Sequence, residues 1–223
     1  MKYWLAGVCA GAMALTAVSA QAVTIAWADW TSASPSLGLA NGSIANGMGA
    51  VTVDYMGPAY TFALVVPGGG TYYYTEGTPA PYTGGDVDNA PSENDILALS
   101  TGGTSMITFS VPVVNPVLAL VSWNGNTVDF GTPIEIVSFG AGFFGNGIPE
   151  LNMAGTGFFG NGEVHGIVRI LGTHDKITFS HTGEFWHGLT VGIEAAAQAP
   201  EAAPLALLGS ALAGVGFLAR RKR

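Results

Sequence analysis

Between Val23 and Ile193 the apolar residues recur with a period of two, in short runs punctuated by Gly, Pro and Asn. No window carries the i, i+3, i+4, i+7 stripe of an amphipathic helix, so the chain is constrained to an all-β fold. In ITFSV, Ile107, Phe109 and Val111 fall on one face with Thr108 and Ser110 on the other. KITFS repeats the arrangement with Ile177 and Phe179 against Thr178 and Ser180, and GLTVGIE aligns Leu189, Val191 and Ile193. VLALVSW, Val117 to Trp123, is apolar at both parities, which predicts a central strand covered on both sides. Glycine, at 33 residues, is about twice its average usage and supplies turns. Roughly ten to thirteen strand candidates follow, favouring a single β-sandwich of jelly-roll type over a barrel or propeller. The motif FFGNG occurs at Phe143 to Gly147 and again at Phe158 to Gly162. Asn-Gly favours positive φ, so both copies read as hairpin turns, with a glycan or partner loop as the alternative.

The two ends differ from this body. Residues 1 to 22 have the order of a secretory signal helix: Lys2, an apolar run from about Trp4 to Val18, and the small-residue site Ala20-Gln21-Ala22. Removal after Ala22 fits better than a retained anchor, because the apolar run is short. Cys9, the one cysteine, lies inside this segment. It is preceded by Val8 and by too little chain for a lipid-attachment site, so lipidation is rejected. The exported body then has no cysteine, and its stability must come from a core large enough to hold without disulfides.

Charge narrows the partners. Between residues 23 and 199 the cations are Arg169 and Lys176, whereas every Asp and Glu except Glu201 lies in that span. A nucleic-acid partner is excluded, since phosphate neutralisation needs clustered Lys and Arg. Binding of the body to anionic lipid is disfavoured for the same reason. Divalent cations and neutral polymers remain.

The chain ends PLALLGSALAGVGFLARRKR. Ala202 to Ala219 carries no charge, and at 1.5 Å per residue it makes a helix of about 27 Å, enough for the hydrocarbon core. Once the body is exported, Arg220, Arg221, Lys222 and Arg223 stay cytoplasmic. The expected organisation is a signal peptide at 1–22, a β-sandwich at 23–195, a linker at 196–204, and a transmembrane helix with a basic end at 205–223.

Pro200-Glu201, an apolar helix and a terminal Arg/Lys cluster, in that order, closely resemble the PEP-CTERM sorting signal of exported bacterial proteins. The resemblance implies handling by an exosortase, a membrane-embedded cysteine protease or transpeptidase, in a Gram-negative bacterium that makes exopolysaccharide. It assigns Pro200 and Glu201 to the recognition motif and Arg220 to Arg223 to substrate retention. Ala202 stands where the family usually carries Pro. It further implies an inner-membrane-anchored precursor that becomes a cell-surface or extracellular, non-catalytic matrix protein. NPVLALVSWNG and GEFWHGLTVGIE resemble segments of the β-rich bodies that travel with such tails.

Residues with chemical potential are few. His181, Glu184 and His187 in HTGEFWH are spaced i, i+3, i+6 through a Gly-containing turn, which fails the metalloprotease pattern and favours structural roles. There is no G-x-S-x-G. Paired carboxylates of a glycan hydrolase meet in space, so that reading stays open. GGDVDNAPSEND gathers Asp86, Asp88, Glu93 and Asp95 on a flexible stretch: a solvated loop or a calcium site. TYYYT places Tyr72 and Tyr74 on one strand face, for packing or for stacking on sugars in a carbohydrate-binding module. No cofactor is required.

Overall fold

Alternation becomes strands wherever one parity can be buried. The computed structural model describes residues 22–47, 49–65, 70–92 and 95–195. Ala20, Glu93, Pro200, Glu201, Ala202, Arg220, Arg221, Lys222 and Arg223 lie outside them, as do almost all of the signal and the whole tail. Among the described residues there are fifteen strands, a few more than the sequence suggests, and no helix long and apolar enough to cross a membrane. They are β1 (Ile25–Trp27), β2 (Asp29–Ser34), β3 (Leu39–Ala45), β4 (Ala50–Met56), β5 (Phe62–Leu64), β6 (Ile96–Leu99), β7 (Gly103–Val114) and β8 (Val117–Trp123). The remainder are β9 (Thr127–Asp129), β10 (Ile134–Phe139), β11 (Gly147–Leu151), β12 (Gly157–Gly162), β13 (Val164–Ile170), β14 (Thr173–His181) and β15 (His187–Glu194).

Two antiparallel sheets result. One has the order β10-β13-β8-β15-β6-β5, with β1 also pairing β15; the other runs β11-β12-β9-β14-β7-β4-β3-β2. From β6 onward the chain alternates between them, save that β11 and β12 share a sheet. Trp30, Val53, Ile107 and Phe179 of the eight-stranded sheet meet Leu118, Leu120, Val168 and Val191 of the seven-stranded sheet in one core. Burying that apolar surface is the main driving force.

The outer face of the seven-stranded sheet is also covered. Ile25, Tyr74, Tyr82 and Val87 pack over Ile96, Val117, Ala119, Val121 and Ile167. Hence every residue of β8 is buried, as its double apolar parity predicts. Residues 70–92 form this cover without regular strands. Arg169 of β13 pins it through Asp86, at 2.8 Å, and also pairs with Glu135 at 2.6 Å. Glu76 accepts hydrogen bonds from the Tyr82 and Thr83 amides, both at 2.7 Å.

Two local expectations are corrected, and one strand residue changes sides. Val111 is half exposed, although Phe109 and Val113 on the same parity are buried. The β7–β14 ladder passes from Thr108↔Lys176 to Val113↔His174, leaving extra β7 residues that bow outward. The second FFGNG is not a turn: it lies in β12, where Gly162 pairs Gly147 of the first copy. Near the first copy the tight turn is at Phe143 and Phe144, closed by reciprocal bonds between Gly142 and Gly145, and not at Asn146-Gly147, where β11 begins. Finally, Trp123 leaves the parity of Val117, Ala119 and Val121 and enters the core between the sheets. Ser122 adopts φ 58°, and the β8–β13 register slips between Val164 and Gly166; the bulge turns the indole inward.

Candidate functional site

His181 ends β14 in one sheet and His187 opens β15 in the other, so the turn between them places both rings in the interior. His187 Nε2 and His181 Nδ1 are 3.1 Å apart, and His181 Nε2 lies 3.2 Å from Ser105 Oγ. Ser105 Oγ in turn shares a 2.8 Å hydrogen bond with Tyr55 OH. Glu184 Oε1 comes within 3.1 Å of His187 Nδ1, without hydrogen-bond alignment. Burial, and for His181 the neighbouring His187, holds these imidazoles down, to about 4 for His181 and about 3 for His187. Burial pushes Glu184 up to about 7, against the Asn124 amide that lowers it and with Glu163 adding to the rise. The serine-histidine pair is sealed: Ser105 has no solvent exposure, and Trp123 covers His187 at 4.2 Å between ring centroids. The chain of polar groups therefore ties the two sheets together within the core.

A third buried histidine has its tautomer dictated by its neighbours. Tyr82 OH donates to the Leu120 carbonyl at 3.0 Å, so His165 Nδ1 donates to Tyr82 at 3.0 Å, and His165 Nε2 accepts from the Phe144 amide at 3.3 Å. Burial lowers His165 to about 4.

The predicted carboxylates do not converge. Asp86 is paired with Arg169, Asp88 accepts from the Thr24 hydroxyl at 3.0 Å, and Asp95 accepts from the Trp30 amide at 2.8 Å. Among the described residues no group of three or more His, Cys, Asp or Glu is placed to hold a metal ion. Tyr72 and Tyr74 do sit together, with ring centroids 6.0 Å apart, but in an irregular segment instead of a strand. Tyr74 is buried and donates to the Asp95 carbonyl at 2.9 Å, which leaves its faces no room for a sugar. Tyr72, partly exposed, donates to the Pro91 carbonyl at 2.5 Å. Their role is to fix the cover over β8 and β15. Ala22, at the expected cleavage point, is exposed, and the next residue is already bonded: Val23 N donates to the Asp86 carbonyl at 2.6 Å.

Sequence reasoning missed an open cleft of about 520 Å³ on the outer face of β11, β12, β9 and β14. Strand register builds it from two rows of side chains. Thr182, Thr127, Phe159 and Glu150 form one row. Ser180, Asp129, Gly157 and Asn152 form the next. At Gly157 the row lacks a side chain, and a Cβ there would come within 2.0 Å of the Val128 carbonyl oxygen. The hollow lies between Asp129 and Asn152, with the exposed Phe159 ring beside it. Misreading FFGNG as a turn hid this site, because only as a strand does it put Phe159 on the solvent face.

No family model, curated protein or solved structure matches this chain.

Proposed function

We propose that this chain is an exported, non-catalytic component of the cell surface or extracellular matrix, sorted through its tail by an exosortase-type enzyme and associated with exopolysaccharide. The observation that carries the reading is the ordered tail, Pro200-Glu201, apolar run and Arg220 to Arg223, behind an N-terminal secretory signal. The described strands give it support. They run from Ile25 to Glu194, so cleavage after Ala22 and processing near Glu201 both fall outside them. Within this reading the body is a jelly roll, supported by the orders β6-β15-β8-β13 in one sheet and β7-β14-β9-β12 in the other. The reading needs no cofactor; calcium on the Asp86 to Asp95 stretch is a separate proposal, for which Asp88 is better placed than the paired Asp86. Intact mass of the cell-associated and released forms tests it. Loss of residues 1–22 from both, and of the apolar run with Arg220 to Arg223 from the released form, is expected; a full-mass precursor in the cytosol overturns it.

A carbohydrate-binding module is the second reading, favoured by the open cleft and its exposed aromatic ring.

A further inference from the structure

We propose that the cleft formed by Thr127, Asp129, Glu150, Asn152, Phe159 and Ser180 is a binding site for a neutral polysaccharide chain. The inference deepens the proposed association with exopolysaccharide and rests on that reading for its extracellular setting; the site itself is argued from chemistry.

A sugar ring has an apolar face of C–H groups and a rim of hydroxyls that both donate and accept. The cleft offers the complement. Phe159, 40% exposed, presents an aromatic face, and hydroxyls, an amide and two carboxylates surround it. These polar groups are held in place by their neighbours. Asp129 Oδ1 accepts from the Gly131 amide at 2.9 Å, Glu150 Oε1 accepts from Asn161 Nδ2 at 2.7 Å, and Thr182 Oγ1 accepts from the Thr127 amide at 2.9 Å. Preorganised acceptors on strands lose little entropy when a ligand arrives. Charge selects the class of glycan. The lining carries Asp129 and Glu150 and no Lys or Arg, which repels uronate- or sulfate-bearing chains. The open side admits an internal stretch of polymer as readily as a chain end.

Position in the fold agrees with such a task. Gly192 pairs Val117, and Val114 pairs Thr173, so the ends of β15 and β7 and the start of β14 share one end of the sandwich. Ser180 and His181, at the other end of β14, border the cleft. With nine residues in β14, the tail's exit after Glu194 is about 27 Å from the cleft along the strand direction. A body tethered by its tail holds this cleft on the far side.

Isothermal titration of the purified full chain in detergent, with cellohexaose, mannohexaose, chitosan hexamer and hexagalacturonate as separate probes, tests the proposal. Saturable binding of at least one neutral hexaose is expected, weakened about tenfold or more by Phe159→Ala and by Asp129→Asn, which remove the ring and one carboxylate. Phe185→Ala, at a 90% exposed ring outside the cleft, leaves it unchanged. Absence of binding by both neutral probes, equal loss in Phe185→Ala, or tighter binding of hexagalacturonate or of the cationic chitosan overturns it. Unchanged melting temperatures separate lost contacts from lost fold. Because sorting is read from intact mass in cells and binding from titration, either reading can fail alone.

Discussion

The carbonyl of Thr24 accepts a hydrogen bond from the Ala195 amide at 2.9 Å. Beside it, Ile25 pairs Glu194 as the first rung of the β1–β15 ladder. The points where residues 1–21 and 196–223 join the body are thus adjacent, at the β1–β15 ladder. Truncation after Ala195 is expected to leave the unfolding midpoint unchanged, whereas Ile25→Ala costs about 2–4 kcal/mol because a fully packed side chain is lost. Urea denaturation of the two variants checks this.

Trp123 donates from Nε1 to the Gly188 carbonyl at 2.9 Å and packs on His187 and Phe158. Trp123→Ala is expected to destabilise by about 3–5 kcal/mol, and in the variant that survives, water reaching His187 raises its pKa towards 6.5. Histidine proton shifts followed by NMR titration report the second effect.

Stability is expected to rise with pH from about 3 and to level off between about pH 7 and 8. His165 and His181 are neutral in the folded state down to about 4 and His187 to about 3, while the unfolded chain protonates each near 6.5. The unfolded state therefore binds more protons through that window, and stability falls as pH drops from 6.5, levelling off below about 3. Glu184 acts in the opposite sense: folded, it keeps its proton up to about 7, against 4.5 unfolded, so its contribution is complete below 4.5 and lost as pH rises through 7. Three groups outweigh one throughout that window, and the opposing changes nearly cancel above about pH 7. Denaturation midpoints from pH 3 to 8 check the curve, and Glu184→Gln steepens its rise between about pH 4.5 and 7.

Arg169 is almost wholly buried, and its two carboxylate partners are about half open to solvent. Asp86→Ala is expected to cost about 1–2 kcal/mol, below the range for fully buried pairs because water screens Asp86. Faster hydrogen exchange over residues 70–92, with β4 and β7 unaffected, distinguishes release of the cover from general loosening.

Gly157→Ala is expected to lower stability by about 2–4 kcal/mol through its clash with the Val128 carbonyl. Thermal melting measures the cost.

Much of the sandwich was legible in the chain. β14, with Ile177 and Phe179 inward and Thr178 and Ser180 outward, follows its alternation residue for residue, and β8 is covered on both faces as its composition requires. Val111 and Trp123 departed from their parity because bulges depend on register with a partner strand, which no local pattern records. Tyr72 and Tyr74 misled for a related reason. Their short alternating run contains enough polar and turn residues on either side to fold back as a cover, and the apolar outer face of β8 was available to bury Tyr74. His181 and His187 are both buried, yet their pairing across the two sheets was beyond the sequence.

By itself, the sequence determined that the body is built of β-strands, which residues line their buried faces, and that apolar segments flank it, because side-chain alternation and hydropathy are local properties. Only the tertiary structure decided that Phe159 and Asp129 border one hollow, that Ser105 is sealed beneath His181, and that Thr24 meets Ala195. Those neighbours come from strands far apart in the chain, and their meeting is set by register and sheet order, which depend on how the whole core packs.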